Sequence, residues 1–314
     1  PRFTEAAMTK NRPLFFSLAG CAAVCLILRV VLKLTAVDPA TGFYEGGGAL
    51  PLVFNILLGV SVLLLLAAGY LSGRRTRGAS VTFTIPLRAL AFAAGISLAV
   101  WAFLNVEGIL EILPEVLTPD SRLLFKLFYC LFVVLFRLVL PIVFIYVLEC
   151  IAGFVPNRKL WKDLPGKDEP DFAHPINPFD LREAHGYLRM NGWLMLLPLV
   201  WEIGELLSSF MAYTALRNVS DQMLTIVMLI LMAPFLLAHA RILSGVGAEK
   251  GVRQLLFFGP AFALFAIAVP GGMIAAALAG KTVALGLSPA AAVFYFLSGL
   301  YAAALCLSLR RSGR

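Results

Sequence analysis

The feature that most constrains this chain is the length of its unbroken apolar runs, of which LPLVFNILLGVSVLLLLAAGYL at 50–71 is one. A run of about 18 or more apolar residues is long enough to cross the roughly 30 Å hydrocarbon core of a bilayer as a helix. Water is absent there, so each crossing must satisfy its own backbone hydrogen bonds, which a helix does within one segment. Strands of a membrane barrel need only about 10 residues of alternating character, and these runs are longer and uniformly apolar. The expected fold class is therefore an all-α polytopic transmembrane helix bundle forming a single integral membrane domain. Hydropathy places eight spans, at 14–37, 50–71, 87–110, 123–151, 191–216, 222–243, 255–279 and 289–309.

Composition agrees with this reading. Hydrophobic residues make up 60% of the 314 and charged residues 14%, against about 25% charged in a typical soluble domain. The net charge of +8 would suggest nucleic acid in a soluble protein. Here the basic residues collect in alternate connections, so no nucleic-acid partner is expected. The five cysteines, Cys21, Cys25, Cys130, Cys150 and Cys306, all fall in apolar runs, and no disulfide framework is implied. Cys21 and Cys25 share a helix face and are read as small packing residues rather than a redox pair.

Lysine and arginine set the orientation. They crowd the amino terminus (Lys10, Arg12), the second connection (Arg74, Arg75, Arg77, Arg88), the fourth (154–190, from Arg158 to Arg189), the sixth (Arg241, Lys250, Arg253) and the carboxyl tail (Arg310, Arg311, Arg314). The alternate connections hold few cations, and Asp38, Glu107, Glu111, Glu115 and Asp221 sit there. Both termini and the 154–190 loop are expected in the cytoplasm. Read from Met8, the start resembles a signal peptide. The apolar run continues past Arg29 to Val37 without a good cleavage site, so an uncleaved first helix is the reading.

The long cytoplasmic loop opens irregularly, then Asn177, Pro178 and Asp180 give a helix start. A short interfacial helix is expected there, with a partner-binding helix as the alternative. In DPATGFY, Pro39 and Gly42 predict a turn. Gly46, Gly47 and Gly48 follow without the Lys-Ser/Thr of a phosphate loop, so a flexible entry into the second span is the reading.

The first helix, then DPATGFY and its glycine-rich loop, then LPLVFNILLGVSVLLLLAAGYLSGRR, resembles uncharacterised polytopic membrane proteins of Gram-positive bacteria, as does the SDQM segment from Ser220. The resemblance implies a cytoplasmic-membrane location and an eight-helix layout, and brings no activity, cofactor or site.

Ionisable residues at a helix centre in a membrane cost about 2.5–3.5 kcal/mol each on insertion scales, so they need a reason. Counting along the spans puts Arg137 near the middle of the fourth, Glu202 and Glu205 near the middle of the fifth, and Arg29 in the outer half of the first. Glu202, Glu205 and Ser209 are spaced i, i+3, i+7 and share one stripe. An unpaired carboxylate in such a place tends to become neutral. The expectation is that Glu202 or Glu205 contacts Arg137 and that Arg29 joins them, as a substrate or proton site or as a bundle-fixing ion pair. Pro270, Gly271 and Gly272 predict a kink or break in the seventh span, a feature that marks binding sites in many transporters.

Other polar residues carry blander readings. Glu107, Glu111 and Glu115 could form an acidic mouth but are read as a solvated helix end. His239 is expected at the interface, and the three histidines show no metal-ligand spacing. No catalytic, nucleotide, metal or cofactor motif is present, so no enzyme activity is expected. Two functions stay open. One is a transporter-like protein for a small molecule or ion, which predicts a water-accessible cavity reaching Glu202 or Glu205. The other is a non-transporting accessory, sensor or assembly protein, which predicts tight packing there.

Overall fold

The computed structural model describes residues 12–37, 44, 48–74, 79–81, 84–106, 123–153, 191–212, 219–281 and 287–311. The interfacial helix expected within 154–190, the DPATGFY turn and the Glu107–Glu111–Glu115 series lie outside these residues. Eight helices are long and apolar enough to cross a membrane, as the hydropathy of the sequence predicts.

In chain order the elements are α1 (Arg12–Thr35), α2 (Ala49–Arg74), β1 (Ala79–Val81), α3 (Ile85–Leu104), α4 (Leu123–Val134), a π-helical turn (Leu135–Val139), α5 (Leu140–Ala152), α6 (Gly192–Ala212), α7 (Val219–Ser244), α8 (Ala248–Leu278), α9 (Pro289–Leu307) and β2 (Leu309–Arg311). The fourth crossing runs through α4, the π turn and α5. Local chemistry sets several boundaries. Ser288 caps α9 by accepting from the Ala291 N–H at 3.2 Å, with Pro289 in the first turn. Gly153 ends α5 with φ 90°, a left-handed conformation that glycine adopts without a Cβ clash.

Helix α8 is the hub. It packs on α9, α7, α1 and α2, and 78% of its apolar window is buried against 22% for α2. Contacts close a circuit of six helices: α8 to α9, α9 to α3, α3 to α5, α5 to α6, α6 to α7 and α7 back to α8. Helices α1 and α2 pack on α8 and on each other. Small residues allow the close approaches. A Cβ at Gly69 of α2 would collide with the Leu256 carbonyl of α8, so those two backbones meet directly, as membrane helices often do at glycine.

At one end of the bundle a short antiparallel ladder pairs β1 with β2, Ala79 opposite Arg311 and Val81 opposite Leu309. This ladder ties the second connection to the end of the chain. At another connection an isolated bridge joins Val37 to Tyr44, which brings together the two ends of the DPATGFY segment.

The seventh crossing departs from expectation. It is one continuous helix of 31 residues through Pro260 and Pro270, and not a broken pair. Gly271 and Gly272 serve close packing instead. A Cβ at Gly271 would lie 2.5 Å from Leu26 Cδ1, and one at Gly272 would lie 2.5 Å from Arg29 Cγ. The missing side chains make room for α1, so the Pro-Gly-Gly sequence serves a close helix crossing.

Candidate functional site

The site grows from a local conflict in the fourth crossing. Pro141 has no N–H, so the Arg137 carbonyl loses its usual partner four residues on, and the proline ring crowds it. The helix responds by widening into the π turn Leu135–Val139, where the Leu140 N–H donates to the Leu135 carbonyl. Such single π turns recur at functional sites. Arg137 sits in the middle of the widened turn.

On the facing side, α6 carries Glu202, Glu205 and Ser209 along one stripe. A small cleft of about 10 Å³ is lined by Arg137, Glu205, Asn105, Trp101, Trp201 and Pro141, among others. Arg137 and Glu205 thus share a cleft and lie within electrostatic reach of each other. Among the described residues they form no direct ion pair, since the two ion pairs found lie elsewhere. The two side chains expected to touch thus line one cleft without a direct ion pair.

Glu202, three residues earlier, is fully buried, and neither carboxylate oxygen has a hydrogen-bond partner. It lies within electrostatic reach of Glu205, and Tyr295 of α9 lies within reach of both. The surroundings are aromatic. Trp101 (α3), Phe144 (α5), Trp201 (α6) and Phe294 (α9) form one cluster; Trp201 lies 5.7 Å centroid to centroid from each of the other three. Four of the six helices in the circuit therefore meet at rings next to the buried carboxylate. Ser209, at the far end of the stripe, is half-buried, and its carbonyl accepts from Gln222 Nε2 at 3.3 Å.

Arg29 does not join this cluster. It pairs with Asp221 of α7, donates to Tyr44 Oη at 2.7 Å, and lies over the Phe54 ring at 5.1 Å. Lys33, one helical turn further along α1, takes the second Asp221 oxygen. Arg29, Lys33 and Asp221 are all buried. The two buried cations share one carboxylate, and among the described residues Arg29 Nε has no hydrogen-bond partner. The sequence reading placed Asp221 in an outer connection. The signal was available: Arg29 and Lys33 are i,i+4 on one helix face, and Asp221 stands one residue before the sixth apolar span, 222–243.

His239 lies inside the bundle, near the end of α7. It is buried, hydrogen-bonded to Tyr301 Oη at 2.8 Å and stacked on Phe235. Cys25 is buried and donates its thiol to Ser61 Oγ at 3.8 Å, in keeping with a packing role. Compared with protein-family models, with curated proteins and with solved structures, the chain matches none.

Proposed function

We propose that the protein moves a small solute or ion across a bacterial cytoplasmic membrane, with its arginine-rich end in the cytosol and Glu202 and Glu205 as a proton-exchanging pair. The observation that carries this reading is Glu202, fully buried with both oxygens unpartnered. Leaving a charged carboxylate in that state costs several kcal/mol, which a proton removes. Such a group is retained at a cost, and intramembrane ionisable residues mark ion and proton pathways. Glu205 stands one turn away at a cleft, beside Arg137, where a proton can be passed on or a counter-charge met.

The second reading, a non-transporting accessory or assembly protein, is favoured by the size of that cleft. At about 10 Å³ it has room for one water at most. Proteoliposomes enclosing a pH-sensitive dye distinguish the two. After an imposed pH step, the transport reading expects the wild-type protein to dissipate the gradient faster than empty vesicles, and Glu202→Gln or Glu205→Gln to return to the empty-vesicle rate. A wild-type rate equal to that of empty vesicles favours the accessory reading.

A further inference from the structure

At the arginine-rich end of the bundle, α2 and α8 enclose a groove of about 410 Å³. Gly73 of α2 forms part of its wall, and a Cβ there would lie 3.8 Å from Arg253 Cα. That close approach brings Arg74, the last residue of α2, and Arg253, in the second turn of α8, to the same groove. Arg74 is set in place by Tyr70: its guanidinium lies 4.6 Å from the ring centroid and donates to Oη at 2.5 Å. Arg253 is exposed. The rest of the lining is Gln254 and two aromatic residues, Phe257 and Phe258, packed edge to face at 4.8 Å. Among the described residues no carboxylate pairs with either arginine.

We propose that this groove is a binding site for an anionic phospholipid, with the phosphate between Arg74 and Arg253 and the upper acyl chains along Phe257 and Phe258. Three features select that ligand. Both arginines stand at the ends of membrane-crossing helices, the level at which headgroups lie. Two guanidinium groups offer forked donors that match phosphate oxygens, and they repel the amine of a zwitterionic headgroup. The apolar walls below them face hydrocarbon, where a soluble phosphate gains nothing but acyl chains do. Basic pockets between membrane helices bind lipid headgroups by this combination. The volume fits a headgroup and glycerol unit, with the chains continuing into the bilayer. The site is remote from Glu202 and independent of the transport reading.

Native mass spectrometry of the full chain, released from micelles containing equimolar phosphatidylglycerol and phosphatidylcholine, tests this. Retained phosphatidylglycerol should exceed phosphatidylcholine, falling about fivefold in Arg74→Gln or Arg253→Gln and ~25-fold in the double variant. Added sn-glycerol 3-phosphate should not displace the lipid. Equal retention of both lipids, or unchanged adducts in a folded double variant, overturns the site. Displacement by glycerol phosphate at matched concentration overturns the lipid assignment in favour of a soluble phosphate. A second measurement needs no variant: phenylglyoxal should modify Arg74 and Arg253 of the wild-type protein more slowly in phosphatidylglycerol nanodiscs than in phosphatidylcholine nanodiscs. Equal rates overturn the proposal.

Discussion

Arg29 of α1 and Asp221 of α7, 192 positions apart in the chain, form a buried ion pair, and Lys33 takes the other oxygen of the same carboxylate. Asp221 serves both cations, so the three residues are unequal. Replacing Asp221 with Asn removes the carboxylate that both buried cations contact and should destabilise the protein by about 3–5 kcal/mol, the usual cost of breaking a buried pair. Replacing Arg29 with Met removes one of the two contacts and should cost less. Thermal unfolding in detergent, followed by tryptophan fluorescence, should rank wild type above Arg29→Met and both above Asp221→Asn. An Asp221→Asn variant as stable as wild type would show that the pair contributes nothing.

The close packing of α8 on α1 gives a second prediction. Gly272→Ala puts a methyl 2.5 Å from Arg29 Cγ, and overpacking of this kind costs about 1–3 kcal/mol. Gly20→Ala and Gly59→Ala place their methyl groups where nothing lies within 4 Å. Those two should be neutral or stabilise by up to about 1 kcal/mol through helix propensity. The three melting temperatures, compared in one detergent, check the contrast. If Gly272→Ala matches the other two, the glycine is not there for packing.

Pro141 is predicted to matter through Arg137. With Pro141→Ala the Arg137 carbonyl regains a donor, and the π turn should relax to an α-helix. Removing the extra residue from the turn rotates the preceding segment by about 100° relative to α5. Arg137 would then leave the cleft that it shares with Glu205. The expected outcome is a folded protein whose proton exchange in proteoliposomes is lost as in Glu205→Gln. Unaltered exchange would show that the position of Arg137 is unimportant.

How much of this was legible in the sequence follows from what each signal encodes. Hydropathy reports length and polarity, so the eight crossings could be read directly, and residue counting put Glu202, Glu205 and Arg137 at compatible depths. Neither signal reports how a helix is rotated or which neighbour it faces. That is why Arg29 was assigned to the glutamates rather than to Asp221. Asp221 itself fell at a span boundary, where a shift of a few residues decides between water and membrane. The Pro270-Gly271-Gly272 sequence was ambiguous for a related reason. The same residues permit a broken helix or a close crossing, and only the position of α1 against them distinguishes the two. The partner of His239, Tyr301, lies 62 positions away, so that contact could not be read from local sequence.

The transport account requires the Glu202–Glu205 stripe to meet water from each side of the membrane in turn. A cysteine placed at Glu205 or at Ser209, in a variant lacking the five native cysteines, reports this in sealed proteoliposomes of known orientation. A membrane-impermeant thiol reagent added outside, and in a separate sample enclosed within, should label the same position from both faces. Protection from both faces, or labelling from one face only under every condition tried, would contradict the account.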